Sequence, residues 1–301
     1  MTVIERIPYQ LCQFFWRYSS AGRPLALITV LSTEGSTYSK AGSQMLVNDA
    51  GDFQGMLSGG CLEGDLALRA KAIMDSGVGE RVTYDLRGDD DVFGLGVGCE
   101  GALDIFIQPL LKETDYEPFH GLLQSLEEVN EAEYATGSGD ASEIISVRAP
   151  LRLLLLGAGQ DADPLVTFAA TLGWYVAVSD HRPAAVTRIG ECGAATVECV
   201  AATDIAGHFD LGRFDAAIVM SHNLEADRTY LELLADSSIE FIGLLGPPQR
   251  KLRLLDELGA SADKLAGRIR GPVGKQIGGR GPAAIALEIA ADIQAHFSSS
   301  H

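Results

Sequence analysis

The sequence predicts an α/β protein in two parts: an N-terminal α+β half, then a Rossmann-like doubly wound parallel sheet. Three observations carry that prediction. From Leu151 onward, short apolar runs alternate with helical patterns, which is how a parallel sheet covered on both faces reads. The first of these runs leads into Gly157-Ala158-Gly159-Gln160-Asp161-Ala162, a G-x-G-x-x-A in the strand–turn–helix setting a dinucleotide fingerprint requires. Before residue 112, strand-like runs surround one long helix and two glycine-wrapped cysteines.

The elements follow in order. Residues 8–19 carry Leu11, Phe14, Phe15 and Tyr18 at helical spacing. Leu25–Leu31 and Met45–Asn48 read as strands, and Asp49-Ala50-Gly51-Asp52 as a hairpin turn returning into Phe53–Leu57. A helix after Cys61 buries Leu62, Leu66, Ala70, Ile73 and Met74; Arg81–Leu86 and Ala102–Gln108 are further strands. Residues 112–149 are polar and acidic and read as a linker with a short helix near Tyr116–Val129. The expected domains are therefore 1–111, a linker over 112–149, and 150–301. In the last of these, strands are expected at Leu151–Leu156, Trp174–Ser179, Ala195–Cys199, Phe214–Met220 and Phe241–Leu245. Leu165, Phe168, Ala169 and Leu172 form a helical stripe between the first two, and Leu224, Tyr230, Leu231 and Leu234 another after the fourth. A final helix starts at Pro282, suited to the first helical position, and buries Ile285, Ile289, Ile293 and Phe297.

Composition narrows the function. The chain has 301 residues, 47% of them hydrophobic and 21% charged, enough for two ordinary domains with cores. With 41 acidic against 23 basic residues the net charge is −18, which repels a phosphate backbone and disfavours nucleic acid. Apolar runs fall short of the roughly 20 residues of a membrane span. The N-terminus lacks the pattern of a signal peptide. Five cysteines, thinly spread and without a C-x-x-C pair, point to a reducing cytoplasm rather than a disulfide framework or structural zinc.

The chemistry-bearing segments are Ser58-Gly59-Gly60-Cys61-Leu62-Glu63-Gly64 and Gly96-Val97-Gly98-Cys99-Glu100-Gly101. Glycine allows φ > 0 and close approach to the main chain. A thiol before a helix N-terminus is favoured as thiolate. Free cysteine also packs as a small buried hydrophobe, so structural and chemical roles both remain open. In the second half, Asp180 stands about 20 residues after the glycine turn, where a carboxylate meets an adenosine ribose. Asp161 and Asp163 oppose that reading, because like charges ~6 Å apart at an effective dielectric of ~20 repel by roughly 3 kcal/mol. His181-Arg182-Pro183, Ser221-His222-Asn223 and Arg250 fall at expected strand C-termini, with Lys275 and Arg280 further on; together they would offer positive potential to an anionic ligand. His222 also reads as a helix-capping or solvated residue, and the arginines as surface charges.

Taken in order, Glu34-Gly35-Ser36-Thr37-Tyr38, Gly42-Ser43-Gln44-Met45-Leu46, the two cysteine loops, Gly157-Ala158-Gly159, Asp180-His181-Arg182-Pro183, Met220-Ser221-His222-Asn223, Gly243-Leu244-Leu245-Gly246 and Pro272-Val273-Gly274 resemble the XdhC/CoxI family. These are accessory factors of xanthine dehydrogenase and related molybdenum hydroxylases, and the resemblance covers nearly the whole chain. It implies a maturation factor that binds molybdenum cofactor (molybdopterin) and assists its sulfuration and insertion into an apo-hydroxylase. A cysteine desulfurase is an implied second partner, and a homodimer the implied assembly. On this reading Cys61 and Cys99 contact the molybdenum centre or carry sulfur, with Glu63 and Glu100 as proton acceptors. Ser58, Gly59, Gly60, Gly98, Gly157, Gly159, Asp180, His181, Arg182, His222 and Arg280 complete the cofactor-binding set. Two alternatives stand beside it: an NAD(P)-dependent oxidoreductase with His222 as general acid, and a non-catalytic scaffold offering an acidic surface to a basic protein.

Overall fold

A computed structural model of the chain describes residues 5–87, 101–137 and 142–298. The second cysteine loop, with Gly98, Cys99 and Glu100, and the acidic run Asp89–Asp91 lie outside the described residues. The chain divides into two compact units, 1–149 and 150–301.

The first unit runs α1 (Tyr9–Ser19), β1 (Leu25–Gly35), β2 (Gln44–Asn48), β3 (Phe53–Gln54), α2 (Glu63–Ser76), β4 (Glu80–Asp85), β5 (Gly101–Leu110), α3 (Phe119–Glu128), β6 (Glu131–Thr136) and β7 (Glu143–Arg148). Five strands form an antiparallel sheet in the order β3-β2-β1-β5-β4. Because β1 is apolar on both faces, the sheet is covered twice. Ala26, Ile28 and Val30 pack against Leu66, Ala70 and Ile73 of α2. Leu25, Leu27 and Leu31 join Leu11 and Phe15 of α1 with Phe119 and Leu122 of α3. The turn between β2 and β3 closes as its sequence predicts: Asn48 Oδ1 accepts from the amides of Ala50 and Asp52, 2.9 Å each.

The stretch expected as a linker is folded into this unit. Ala132 and Tyr134 of β6 and Ile145 and Val147 of β7 pack in the same core as α1 and α3. Tyr134 anchors the β6–β7 hairpin: Gln44 Nε2 donates to its hydroxyl at 2.7 Å, and that hydroxyl lies 2.8 Å from Thr29 Oγ1 in the sheet.

The second unit runs β8 (Arg152–Leu156), α4 (Ala162–Thr171), β9 (Tyr175–Asp180), α5 (Pro183–Gly190), β10 (Thr196–Cys199), α6 (Ile205–His208), β11 (Ala216–Val219), α7 (Leu224–Ala235), β12 (Phe241–Leu244), α8 (Pro248–Leu258), α9 (Ser261–Leu265), β13 (Ile269–Arg270) and α10 (Pro282–Ser298). The sheet is parallel, in the order β10-β9-β8-β11-β12-β13. Numbered within the unit this is 3-2-1-4-5-6, the Rossmann order, and it reverses direction between β8 and β11. Both faces of β8 are buried. Leu153 and Leu155 pack with Leu165 of α4 and Ile289 of α10. Leu154 and Leu156 pack with Tyr230 and Leu231 of α7. The expected strands appear with ends shifted by a residue or two, and α10 begins at Pro282 as expected.

Candidate functional site

In the first unit, the glycine–cysteine loop joins β3 to α2. Gly59 and Gly60 have φ of +73° and +110°, which only glycine adopts without strain. Both are exposed, and Cys61 beside them is a half-buried free thiol. The loop is held from below by Glu63, 3% exposed. Its Oε1 accepts from the amides of Leu57 and Ser58, 2.8 Å each. Its Oε2 accepts from Ser58 Oγ at 2.6 Å and the Gly60 amide at 3.0 Å. Ser58 Oγ in turn accepts from the Leu62 amide at 2.7 Å, so Ser58 and Glu63 together close the entry to α2.

Burial works to raise the Glu63 pKa, but hydrogen bonds from the Ser58 hydroxyl and the Ser58 and Leu57 amides outweigh it and the net shift is downward. A carboxylate with its four lone-pair sites filled and a lowered pKa is a poor proton acceptor. The role expected for Glu63 is corrected accordingly: it positions the turn.

Sequence reasoning did not single out Tyr38. Its ring, 63% exposed, packs over Gly59, where an added Cβ would lie 3.4 Å from it. The loop holding Tyr38 is fixed at both ends. Ser39 Oγ donates to Leu57 O at 2.7 Å, and Gly101 is pressed against Glu34 O, Ser36 O and Thr37, leaving no room for a side chain. The available signal was a glycine-flanked aromatic in a loop.

In the second unit the glycine turn follows β8 at the point where strand order reverses. Gly157 has φ of +121°, and an added Cβ would stand 2.6 Å from the Met220 carbonyl carbon and oxygen and the Ser221 nitrogen. The turn is tied to its surroundings by two residues. Asp180, 2% exposed, accepts from the Ala158 amide at 2.7 Å, the Arg182 amide at 2.8 Å, Arg182 Nε at 2.9 Å and Arg182 Nη2 at 2.7 Å. Arg188 of α5 donates through Nη2 to the carbonyls of Ala158 (2.6 Å) and Gly159 (3.0 Å), and through Nε to Asp163 at 2.9 Å. Burial acts to raise the Asp180 pKa, and the Arg182 side chain with the two amides overrides it, down to about 2.

Several expected roles change here. Asp180 is not presented to a ribose, since its acceptor sites are filled. Asp163 is neutralised by Arg188, so the repulsion expected from it is largely cancelled. Arg188 itself was missed, because a lone arginine on a helix gives no sequence signal for carbonyls far away in the chain. Arg182 and Arg250 do not add free positive potential: Arg182 pairs with Asp180, and Arg250 donates to the buried Asp227 at 2.6 Å. Asp227 also accepts from Ser221 Oγ. The cap of α7 is Asn223, whose Oδ1 accepts from the amides of Glu225 and Ala226, and not His222. His222 stands exposed at φ +59° and donates from Nε2 to Asp161 at 2.9 Å. His181 and Arg280 are exposed. Among the described residues no cluster of three or more His, Cys, Asp or Glu is arranged to hold a metal ion. Nor is any helix there long and apolar enough to cross a membrane.

The fold and these loops define a class: an α/β protein that joins an antiparallel unit bearing a glycine–cysteine loop to a Rossmann unit. Comparison with known proteins gives the family. Residues 19–85 match the model of the XdhC and CoxI family, and residues 153–293 match the XdhC Rossmann domain. A protein of Bacillus subtilis (strain 168), named as one of the probable subunits of xanthine dehydrogenase, is 30% identical across 89% of this chain and 91% of its own length. The molybdenum cofactor insertion chaperone PaoD of Escherichia coli (strain K12) is 24% identical, across 91% of this chain and 83% of its own. A crystal structure described as a xanthine dehydrogenase from Bacillus halodurans superposes with a TM-score of 0.76 at 26% identity, covering 96% of both chains. The chain belongs to the XdhC/CoxI family.

Proposed function

We propose that the chain is an accessory factor that carries molybdenum cofactor, assists its sulfuration and hands it to an apo molybdenum hydroxylase. The observation that carries this reading is the Cys61 thiol, half-exposed on a two-glycine turn that Glu63 holds rigid. The name of the E. coli relative supports the cargo. The cargo is an anionic pterin with a phosphate and a soft dithiolene-bound metal. A thiolate suits the soft centre, and uncovered glycine amides suit an anion.

On this reading Ser58, Gly59 and Gly60 shape the contact, Cys61 touches the metal or carries sulfur, and Glu63 is a positioning residue. Cys99, Gly98 and Glu100 belong to the same proposal by their sequence pattern. The hydroxylase is the acceptor, a cysteine desulfurase the sulfur source, the cytoplasm the compartment, and a homodimer the assembly. An NAD(P)-dependent oxidoreductase finds no support in the Asp180 and His222 geometry.

The test is cofactor retention. Wild type, Cys61→Ala and Cys99→Ala are purified from cells that make the cofactor, and pterin and molybdenum are quantified per chain. The expected result is a loss of about tenfold or more for Cys61→Ala, equivalent to about 1.4 kcal/mol of binding. Equal retention by both variants overturns the thiol assignment.

A further inference from the structure

The Rossmann order and the glycine turn imply a dinucleotide, and the side chains around that turn do not fit one. Two requirements fail independently. A dinucleotide needs a free carboxylate at the end of the second strand for its ribose. Asp180 holds that position, but its oxygens already accept four hydrogen bonds. A dinucleotide also needs the second glycine of the turn bare, so that the pyrophosphate can approach where a side chain would otherwise project. Here that space is filled from within the unit. An added Cβ on Gly159 would lie 2.6 Å from Asp161 Oδ1 and 3.2 Å from His222 Cδ2 and Nε2.

The filling is specific. Asp161 stands at the N-cap of α4, yet its side chain makes no capping hydrogen bond there. It turns instead to His222, which reaches across from the end of β11 with φ of +59°, uncommon for a residue with a side chain. A carboxylate and its imidazole partner thus lie over the turn where a pyrophosphate would approach. We infer that Asp161 and His222 are specificity determinants that bar NAD(P) from this Rossmann unit, the pyrophosphate position being occupied by the protein's own anion. The sheet, Gly157 and Gly159 are all intact, so the bar resides in these two side chains, with Asp180 withholding the ribose contact in addition.

The experiment uses variants that suit the local backbone. Asp161→Ser keeps a good N-cap residue, and His222→Gly removes the cost of positive φ. NADH, ADP and adenosine are titrated calorimetrically into wild type and the Asp161→Ser/His222→Gly double variant, with thermal melts confirming the fold. The expectation is no saturation of wild type with millimolar NADH. The double variant is expected to bind NADH and ADP at least about tenfold more tightly, with no gain for adenosine, which has no phosphates. Micromolar binding of NADH by wild type overturns the inference. So does a folded double variant with no gain, or an equal gain for adenosine. None of these outcomes bears on cofactor retention through Cys61.

Discussion

Replacing Glu63 with alanine tests how the glycine–cysteine turn is built. The substitution removes the acceptor for the Leu57 and Ser58 amides, the Ser58 hydroxyl and the Gly60 amide. Gly60 is exposed, so water replaces that partner. Leu57 and Ser58 are buried, and each stranded buried donor costs about 1–3 kcal/mol. The loss is therefore about 4 kcal/mol, and at about 3 °C per kcal/mol for a unit of this size the melting temperature falls by ~12 °C. Glu63→Gln keeps one accepting oxygen and presents an amide to the other donors, so about half that loss is expected. Differential scanning calorimetry reads the transition, and alkylation of Cys61 by iodoacetamide reads the turn itself, since a loosened loop exposes the thiol. The pH dependence has a defined sign. The folded pKa of Glu63 lies below its ordinary value of 4.5, so its contribution is present above pH 4.5 and lost as pH falls below it. A Glu63→Ala protein melting within about 2 °C of wild type would refute the reasoning, because the stranded donors alone should cost more.

Two further outcomes are expected in the Rossmann unit. Asp227→Ala leaves Arg250 without its carboxylate in a largely buried setting, a change that costs about 3 kcal/mol in urea-unfolding stability; the penalty should shrink when Arg250 is removed as well. Asp180, held to about 2 against an ordinary 3.8, contributes about 2 kcal/mol that is complete above pH 5 and lost as pH falls through 2; Asp180→Asn should flatten the acid limb of the stability curve.

Much of the fold was legible because its cores lie in short apolar strands. The Rossmann strands, the Pro282 helix start and the Asn48 hairpin turn all follow from local chemistry. The β6–β7 hairpin was hidden because its inward face carries Ala132, Tyr134 and Thr136 between glutamates, a weak alternation inside an acidic stretch. The site was legible as to which residues gather, not as to what they do. Glu63 reads as a base beside a cysteine until its bonds to its own backbone turn are seen. Asp180 reads as a ribose ligand until Arg182, two residues on, is found wrapped around it. Such pairings depend on side-chain direction, which spacing alone does not fix. Arg188 and Tyr38 act on partners whose nearness depends on the folded chain.

Transfer of cofactor tests the central claim most directly. Purified chain loaded with molybdenum cofactor is mixed with an apo molybdenum hydroxylase, and recovery of hydroxylase activity is followed against free cofactor. Wild type is expected to restore activity faster than free cofactor. Cys61→Ala, with an unchanged melting temperature, is expected to do no better than free cofactor. Equal transfer by Cys61→Ala, or no advantage for wild type, would contradict the account.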